Sequence, residues 1–544
     1  MLTGTTTSRY GSRVPSVSRY DVIVVGGGHN GLVCAAYAAR AGFRTLVLER
    51  RPLVGGAAVT EEPWPGYRVS TASYVVSLFS PKIERQLELR RYGYEVYPLD
   101  PAYFAPFPDD RSLLMWDEPA RAAAEIAKIS ESDAAAYLEY SRDLDRLAAF
   151  VRPLLLRTPV RLPPTSMEDL REGGFLARHV LRHRRTLSDV VDLMTMSVSD
   201  FLDRYFVDEA VKGALCPGGV IGMWGGPMSP GSAYVLLHHR MGQVAGIRGA
   251  WGFVRGGMGA LSEAIASAAR AAGAEIRTDA HVARIRTVGG RASGVILEDG
   301  TELRARVVAS GIHPRTTFLD LVGDEHLPGD LVRDIERFRT RGSSAKVNLA
   351  LSELPDFSAM PGTELGPQHP EFILSPSIAY VERAWDDAKH GRPSERPMLD
   401  CVIPTTKDPT LAPDGKHILT AFVQYAPPEL VDGRSWDEER DALGDRVIDT
   451  ISEYAPNVKG AVLHRDVLTP LDLERRFGLL GGNIFQGEMA LDQLYSFRPA
   501  PQAGAYRTPI RGLYLCGSGS HPGGGVMGAP GHNAARAIVR DLRG

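Results

Sequence analysis

The distribution of apolar positions changes character several times along the chain. Tyr20–Val25 (YDVIVV) is apolar at almost every position rather than at alternate ones, as a parallel strand buried on both faces requires. Gly26-Gly27-Gly28-His29-Asn30-Gly31 follows at once. The alanine-rich stretch Leu32–Ala41 reads as a helix closed by Gly42, and Thr45–Leu48 as a second strand ending at Glu49. From about residue 100 to 245 helical periods take over, as in Asp117–Ala127 and Ala134–Val151, with proline-rich joints at Arg152–Pro164. The α/β pattern returns near Phe253. A helix is predicted over Ala260–Ala272, then strands at Glu275–Thr278, Val282–Val288, Gly294–Glu298 and Leu303–Ala309. Gly289-Gly290 and Asp299-Gly300 supply the hairpin turns. A mixed stretch follows to about 500. It holds one clear alternating strand, Ser343–Leu351 (SSAKVNLAL), with Lys346, Asn348 and Ala350 on one face. The chain ends with strand Gly512–Cys516, a glycine-dense loop and a helix from Pro530 to Leu542.

The opening unit is a complete β-turn-α-β segment. Gly26 allows the tight turn, Gly28 the close approach of backbone to a pyrophosphate, and Gly31 close packing of helix on strand. Glu49 stands at the tip of the second strand, placed to accept ribose hydroxyls. These features predict dinucleotide binding at a helix N-terminus. Gly55-Gly56 lets the chain pass beneath a long cofactor. The closing loop, Gly517 to Gly531, puts a second helix start beside whatever it encloses. Its dipole suits the negative edge of a reduced flavin.

Composition adds one fact: 57 of 544 residues are glycine, about one in ten against a usual ~7%. They gather at these turns and in a block at Cys216–Gly231 (CPGGVIGMWGGPMSPG). A net charge of -3 excludes an overall field that recruits nucleic acid. The four cysteines (Cys34, Cys216, Cys401, Cys516) form no CxxC, so no disulfide framework or dithiol centre is expected. No metal-ligand spacing occurs. No apolar run reaches the length of a membrane span, and a cytoplasmic protein is expected. Residues 1–19 read as a disordered extension. The basic run Arg178–Arg185 reads as a solvated helix face or as a peripheral membrane contact beside Phe175, Leu176, Val180 and Leu181.

The blocks VVGGGHNGLVCAAYAARAG, LERRPLVGGAAVTEE and YLCGSGSHPGGGVMGAPGHNAARAI resemble the phytoene desaturase-related flavoprotein superfamily. Within it the chain is similar to the family of pyridine nucleotide-disulphide oxidoreductase domain-containing protein 2, from about residue 20 to 544. The resemblance implies an α/β fold: a glutathione-reductase-type Rossmann domain that binds FAD, with an intertwined α+β substrate domain. The FAD domain is expected in three pieces, 20–100, 246–330 and 501–544, and the substrate domain in 101–245 and 331–500. Carried over residue by residue, the resemblance puts Gly26, Gly28, Gly31, Glu49, Arg50, Gly55 and Gly56 at the adenosine and pyrophosphate half of FAD. It puts Val282 at adenine, Gly517 at the pyrophosphate or ribityl chain, and Gly525 and Val526 at the flavin ring. The disulphide chemistry in the family's name finds no paired cysteines here.

Lys346 is read two ways. In register it is similar to the strand lysine of flavin amine oxidases, which makes it the catalytic candidate; the alternative is an exposed strand lysine. Lysine is scarce here, eight of 62 basic residues. His29 reads as a phosphate ligand or a turn filler, His521 as a residue near the ring, and His532 as a surface histidine. Trp224 and Tyr234, by the glycine block, are candidates for the substrate cavity.

The expected activity is hydride removal from a C–H bond of a lipophilic alkene, polyene or ring, with electrons passing to O2, a quinone or another carrier. The alternatives are an amine oxidase forming C=N, a non-catalytic FAD-bound scaffold in a larger assembly, and a redox-neutral isomerase.

Overall fold

The computed structural model describes residues 19–161 and 163–544, so the extension expected at 1–19 lies, but for its last residue, outside the described residues. The chain begins with β1 (Arg19–Val25), α1 (His29–Arg40) and β2 (Thr45–Leu48). A hairpin, β3 (Tyr103–Pro106) and β4 (Ser112–Met115), leads into helices α2 (Glu131–Val151), α3 (Met167–Arg182), α4 (Arg184–Thr195) and α5 (Ser232–Arg240). Then come α6 (Met258–Ala271) and strands β5 (Glu275–Arg277), β6 (Val282–Val288), β7 (Arg291–Leu297) and β8 (Glu302–Ser310). Strands β9 (Ser344–Leu351), β10 (Glu371–Leu374), β11 (Met398–Val402) and β12 (His417–Gln424) precede α7 (Trp436–Ser452), β13 (Val462–Leu468) and α8 (Pro470–Phe477). The chain closes on β14 (Leu513–Leu515) and α9 (Ala529–Arg543).

Two seven-stranded sheets organise these elements. The first runs β5-β2-β1-β8-β7-β6, with β14 pairing the C-terminal half of β8. Its centre is parallel, β5, β2, β1, β8 and β14, and the β6–β7–β8 meander is antiparallel. β1 shows why an unbroken apolar run was needed. Val22 and Val24 enter the core under α1, α6 and α9, while Tyr20, Ile23 and Val25 enter the core on the opposite face. The second sheet runs β13-β9-β12-β11-β10-β3-β4 and joins residues 103–115 to 344–468. One face packs on α7 through Ala345, Val347, Leu349, Cys401 and Val423. The other turns toward the helices of the 131–240 region and the first sheet.

β9 departs from its alternating pattern, because both faces are covered and all eight residues are buried. Lys346 is 2% exposed, which removes the reading of it as a solvated lysine. His532 is likewise buried, edge-on to Tyr37, so it is not the surface histidine expected. The basic run is split between α3 and α4 at His183, and Arg178, Arg182, Arg184 and Arg185 are exposed. Among the described residues no helix is long and apolar enough to cross a membrane.

Helices α1 and α9 meet backbone to backbone. A Cβ on Gly531 would lie 2.0 Å from the carbonyl oxygen of Asn30, and one on Gly31 2.2 Å from that of Gly26. Gly531→Ala is therefore expected to lower stability by about 1–3 kcal/mol as the helices are forced apart. Gly174→Ala, in α3 with nothing within 4 Å of the added carbon, should instead gain about 0.5–1 kcal/mol. Urea unfolding of both variants checks this; equal midpoints would contradict the packing argument.

Candidate functional site

A cavity of about 530 Å³ lies between the two sheets. Its first end is made by the β1–α1 turn. α1 starts at His29 behind Gly28, with no side-chain cap and no acid in its first turn, so its amide end is not neutralised from within. Glu49, 6% exposed at the end of β2, accepts hydrogen bonds from the amides of Gly27 at 2.8 Å and Arg51 at 2.9 Å. The carboxylate is thereby fixed against the turn while still lining the cavity. Gly55 donates its amide to the Gly27 carbonyl at 2.8 Å, which lays Gly55-Gly56 alongside the turn. Arg50 donates to the carbonyls of Arg475 and Arg476 at the end of α8, and the Arg51 guanidinium stands 4.9 Å from the Phe477 ring. α8 thus walls this end from the second sheet's side. Val282, at the start of β6, lines it next to Ala280 and His281.

The other end is apolar. Leu78, Ile221, Trp251, Phe422, Ile484 and Tyr74 belong to one packed cluster and line the cavity with Phe485, Gly525 and Val526. α9 starts just beyond, capped by Gly528 at φ 70° and again without a side-chain cap or an early acid. The neutral His238 ring, its pKa pulled down to about 3 by burial, donates Nε2–H to the Gly524 carbonyl at 3.2 Å and holds the loop. Lys346 Nζ enters this end 3.4 Å from the centroid of the Tyr74 ring. Burial without a hydrogen-bond partner drives its pKa well below the usual lysine value.

Of the residues singled out in the sequence, Gly26, Gly28, Glu49, Arg50, Gly55, Gly56, Val282, Lys346, Gly525 and Val526 line this one cavity. Two do not. Gly31 lies under the turn against the Gly26 carbonyl, and Gly517 packs on Gly311, 2.5 Å from its oxygen to an added Cβ, leaving Ser518 as the lining residue. His29 lines the cavity with Nε2 unpartnered. His521 faces away, bonded to the Leu154 carbonyl. The 216–231 block contributes Ile221 alone. Trp224 stands edge-on to Trp385, and Gly219 and Gly226 are close-packing positions against Val198 and Glu382. The structure also sets Cys34 beside Cys516, both free thiols, fully buried beneath the turn and away from the cavity. Tyr74, Phe422, Asp400 and Glu371 were not anticipated. The available signal was an acid inside each of two short buried strands, MLDCV and EFIL.

A long cofactor with a pyrophosphate and a fused ring fits these walls. At Gly28 an added Cβ would meet no atom nearer than Gly56 Cα at 3.9 Å, so a side chain there would fill cavity rather than protein. Six buried polar atoms on the lining have no partner: His29 Nε2, Asn30 Oδ1, His313 Nε2, Ser344 Oγ, Lys346 Nζ and Gln486 Oε1.

Comparison with known proteins agrees. The family described as flavin containing amine oxidoreductase matches residues 31–539. The chain is 45% identical over 546 residues to pyridine nucleotide-disulfide oxidoreductase domain-containing protein 2 of Rattus norvegicus, covering 96% of this chain and 94% of that protein. It is 26% identical over 536 residues to phytoene desaturase (lycopene-forming) of Pantoea ananas, covering 95% and 99%. Among solved structures, cyclohexylamine oxidase from Brevibacterium oxydans shares the fold, with a TM-score of 0.57 at 17% identity over 96% of this chain and 100% of that one. The cofactor of the present protein is FAD, and its fold is the FAD-binding Rossmann type. The chain belongs to the flavin-containing amine oxidoreductase family.

Proposed function

We propose that the protein dehydrogenates a lipophilic substrate, converting a CH–CH unit of an alkene, polyene or ring to C=C. The observation that carries this is the apolar end of the cavity, where Leu78, Ile221, Trp251, Phe422 and Ile484 offer contact area and few hydrogen-bonding groups. Such a wall holds a hydrocarbon by excluding water and fixes which C–H bond is presented. FAD, when bound, supplies the hydride acceptor. The residues around it have separable tasks. The turn amides at Gly26–Gly28 and the α1 N-terminus would hold the pyrophosphate, Glu49 the ribose and Val282 the adenine edge. Gly525, Val526 and the α9 N-terminus would hold the ring, where the helix end would favour negative charge. Lys346, whose pKa burial pulls well below the usual lysine value, would take up the proton. The electron acceptor would be O2, a quinone or another carrier. The similarity to phytoene desaturase supports this reading.

Oxidation of an amine to C=N is the second reading, favoured by the buried strand lysine and by the family's own description. The two differ in a direct test. Purified protein is expected to be yellow, and phytoene in detergent should bleach its flavin absorbance without oxygen, while cyclohexylamine leaves it unchanged. The reverse result would establish the amine reading. Lys346→Met should retain FAD and slow bleaching by about 10²–10⁴-fold, the usual contribution of a positioned base; unchanged single-turnover rates would remove Lys346 from the chemistry. Gly28→Ala should weaken FAD retention while the apoprotein unfolds within about 0.5 kcal/mol of the parent apoprotein, because the added Cβ meets no protein atom nearer than 3.9 Å. Absorbance after gel filtration, with urea unfolding of both apoproteins, checks that pair of outcomes.

A further inference from the structure

Behind the aromatic wall lie two carboxylates that none of these steps uses. Across the second sheet Lys346 pairs with Phe422, and Phe422 pairs in turn with Asp400. The three stand in one row on the cavity side, one strand apart. Tyr74 folds over that row and touches every member. Its ring centroid is 3.4 Å from Lys346 Nζ and 6.0 Å from the stacked Phe422 ring, and its hydroxyl donates to Asp400 Oδ2 at 2.5 Å. Glu371 is one diagonal step further on the same face, since Asp400 pairs with Ile373. Asp400 is fully buried with Oδ1 unpartnered, and Glu371 is 4% exposed with Oε2 unpartnered.

One cation and two anions cannot all persist here, because burial penalises each charge. The two acids are not equivalent. Glu371 is pushed well above the usual carboxylate range by burial, then by Asp400 and Asp117 as like charges, so it carries a proton. Burial raises Asp400 to about 6, but the Tyr74 hydrogen bond and the nearby Lys346 oppose the shift, so it ionises near neutrality. The Tyr74 phenol is raised by burial and by Asp400, and remains a donor. Cys401, the neighbouring thiol, is raised by burial as well and stays neutral.

We infer that Asp400, acting through Tyr74, is the positioning residue that allows Lys346 to accept and release a proton at the buried end of the cavity, with Glu371 protonated beside it. The inference rests on the dehydrogenase reading and deepens it. Two C–H bonds break in a CH–CH desaturation. One electron pair departs with its hydrogen as hydride to FAD. The other stays as the new π bond, and its proton goes to Lys346 Nζ. The ammonium so formed lies against the Tyr74 ring face, with the Asp400 carboxylate as its counter-charge. Without Asp400 the proton would sit on a cation with no partner, and burial would resist it.

Sulfite titration of the holoenzyme tests this without a substrate, because addition of that anion to oxidised flavin strengthens when a cation is close. Sulfite affinity of the parent should fall as pH rises through loss of the Lys346 proton, and Lys346→Met should remove the step. Asp400→Asn should move the step down by at least one pH unit, about a fivefold loss of affinity at the parent midpoint. Glu371→Gln, replacing an acid already protonated, should leave the midpoint in place. Tyr74→Phe, which removes one hydroxyl, should reproduce the downward shift should Asp400→Asn fail to retain FAD. An unmoved midpoint in Asp400→Asn and Tyr74→Phe, or a shift in Glu371→Gln instead, overturns the inference. A flat parent titration overturns it too, and leaves the cofactor standing. Failure of phytoene to bleach the flavin would strike the substrate class alone.

Discussion

The structure depends on backbone touching backbone where the two ends of the chain meet. Gly31 presses α1 onto the Gly26 carbonyl, Gly531 presses α9 onto that of Asn30, and Gly517 presses the closing loop onto Gly311. Each contact is shorter than a Cβ could tolerate. Together they bring residues 26–31 and 517–531 into one surface, and a hydrogen bond from Asn30 Nδ2 to Ser518 Oγ at 3.0 Å joins them. Two uncapped helix starts then face one cavity from adjoining positions. Displacing α9 by the width of a methyl group would separate the loop that reaches the apolar end from the turn that holds the phosphates. At these three positions glycine serves a close crossing of the chain on itself, and not flexibility.

A second constraint sets the apolar wall against that surface. Arg498 is fully buried, and among the described residues no carboxylate pairs with it. Its guanidinium donates instead to five backbone carbonyls, those of Phe485, Gly487, Glu488, Gln493 and Ser518, at 2.8 to 3.4 Å. Leaving such a charge unsolvated would cost several kcal/mol, so the carbonyl cage must close around it. Closing it ties the segment that supplies Ile484 and Phe485 to the loop that supplies Ser518 and Gly525. The same charge helps keep His238, His313 and His521 neutral, after burial as the main cause. In the neutral His238 ring the single N–H is the one on Nε2 that donates to Gly524.

Sequence made the cofactor end legible and the substrate end mostly opaque, for a physical reason. A phosphate-binding turn is local: strand, glycines, helix and terminal acid occur within about thirty residues, so Gly26, Gly28 and Glu49 can be assigned from spacing. The apolar end is assembled by strand register. Lys346, Phe422 and Asp400 share a row because β9, β12 and β11 pair in one alignment, and Tyr74 reaches that row from another part of the chain. Hydrophobic pattern shows that β9 is a strand; it does not show that both faces are covered, which is why Lys346 admitted a solvated reading. Cys34 and Cys516 escaped notice as neighbours for the same reason, and His532 because a helix at the chain's end can still be buried when another helix lies across it.

This division also explains why family membership settles the cofactor and not the substrate. The pyrophosphate end is built largely from amides, carbonyls and the absence of Cβ atoms. Many sequences keep that geometry so long as a few glycines and one acid remain. The apolar end is built from side chains, where exchanging Ile221, Trp251 or Phe422 reshapes the cavity with the fold unchanged. A phytoene desaturase and an amine oxidase can share this architecture on those terms. What separates them must lie in the wall and in the charges behind it. In this chain that is a lysine laid against a tyrosine ring, and a carboxylate held by the same tyrosine's hydroxyl.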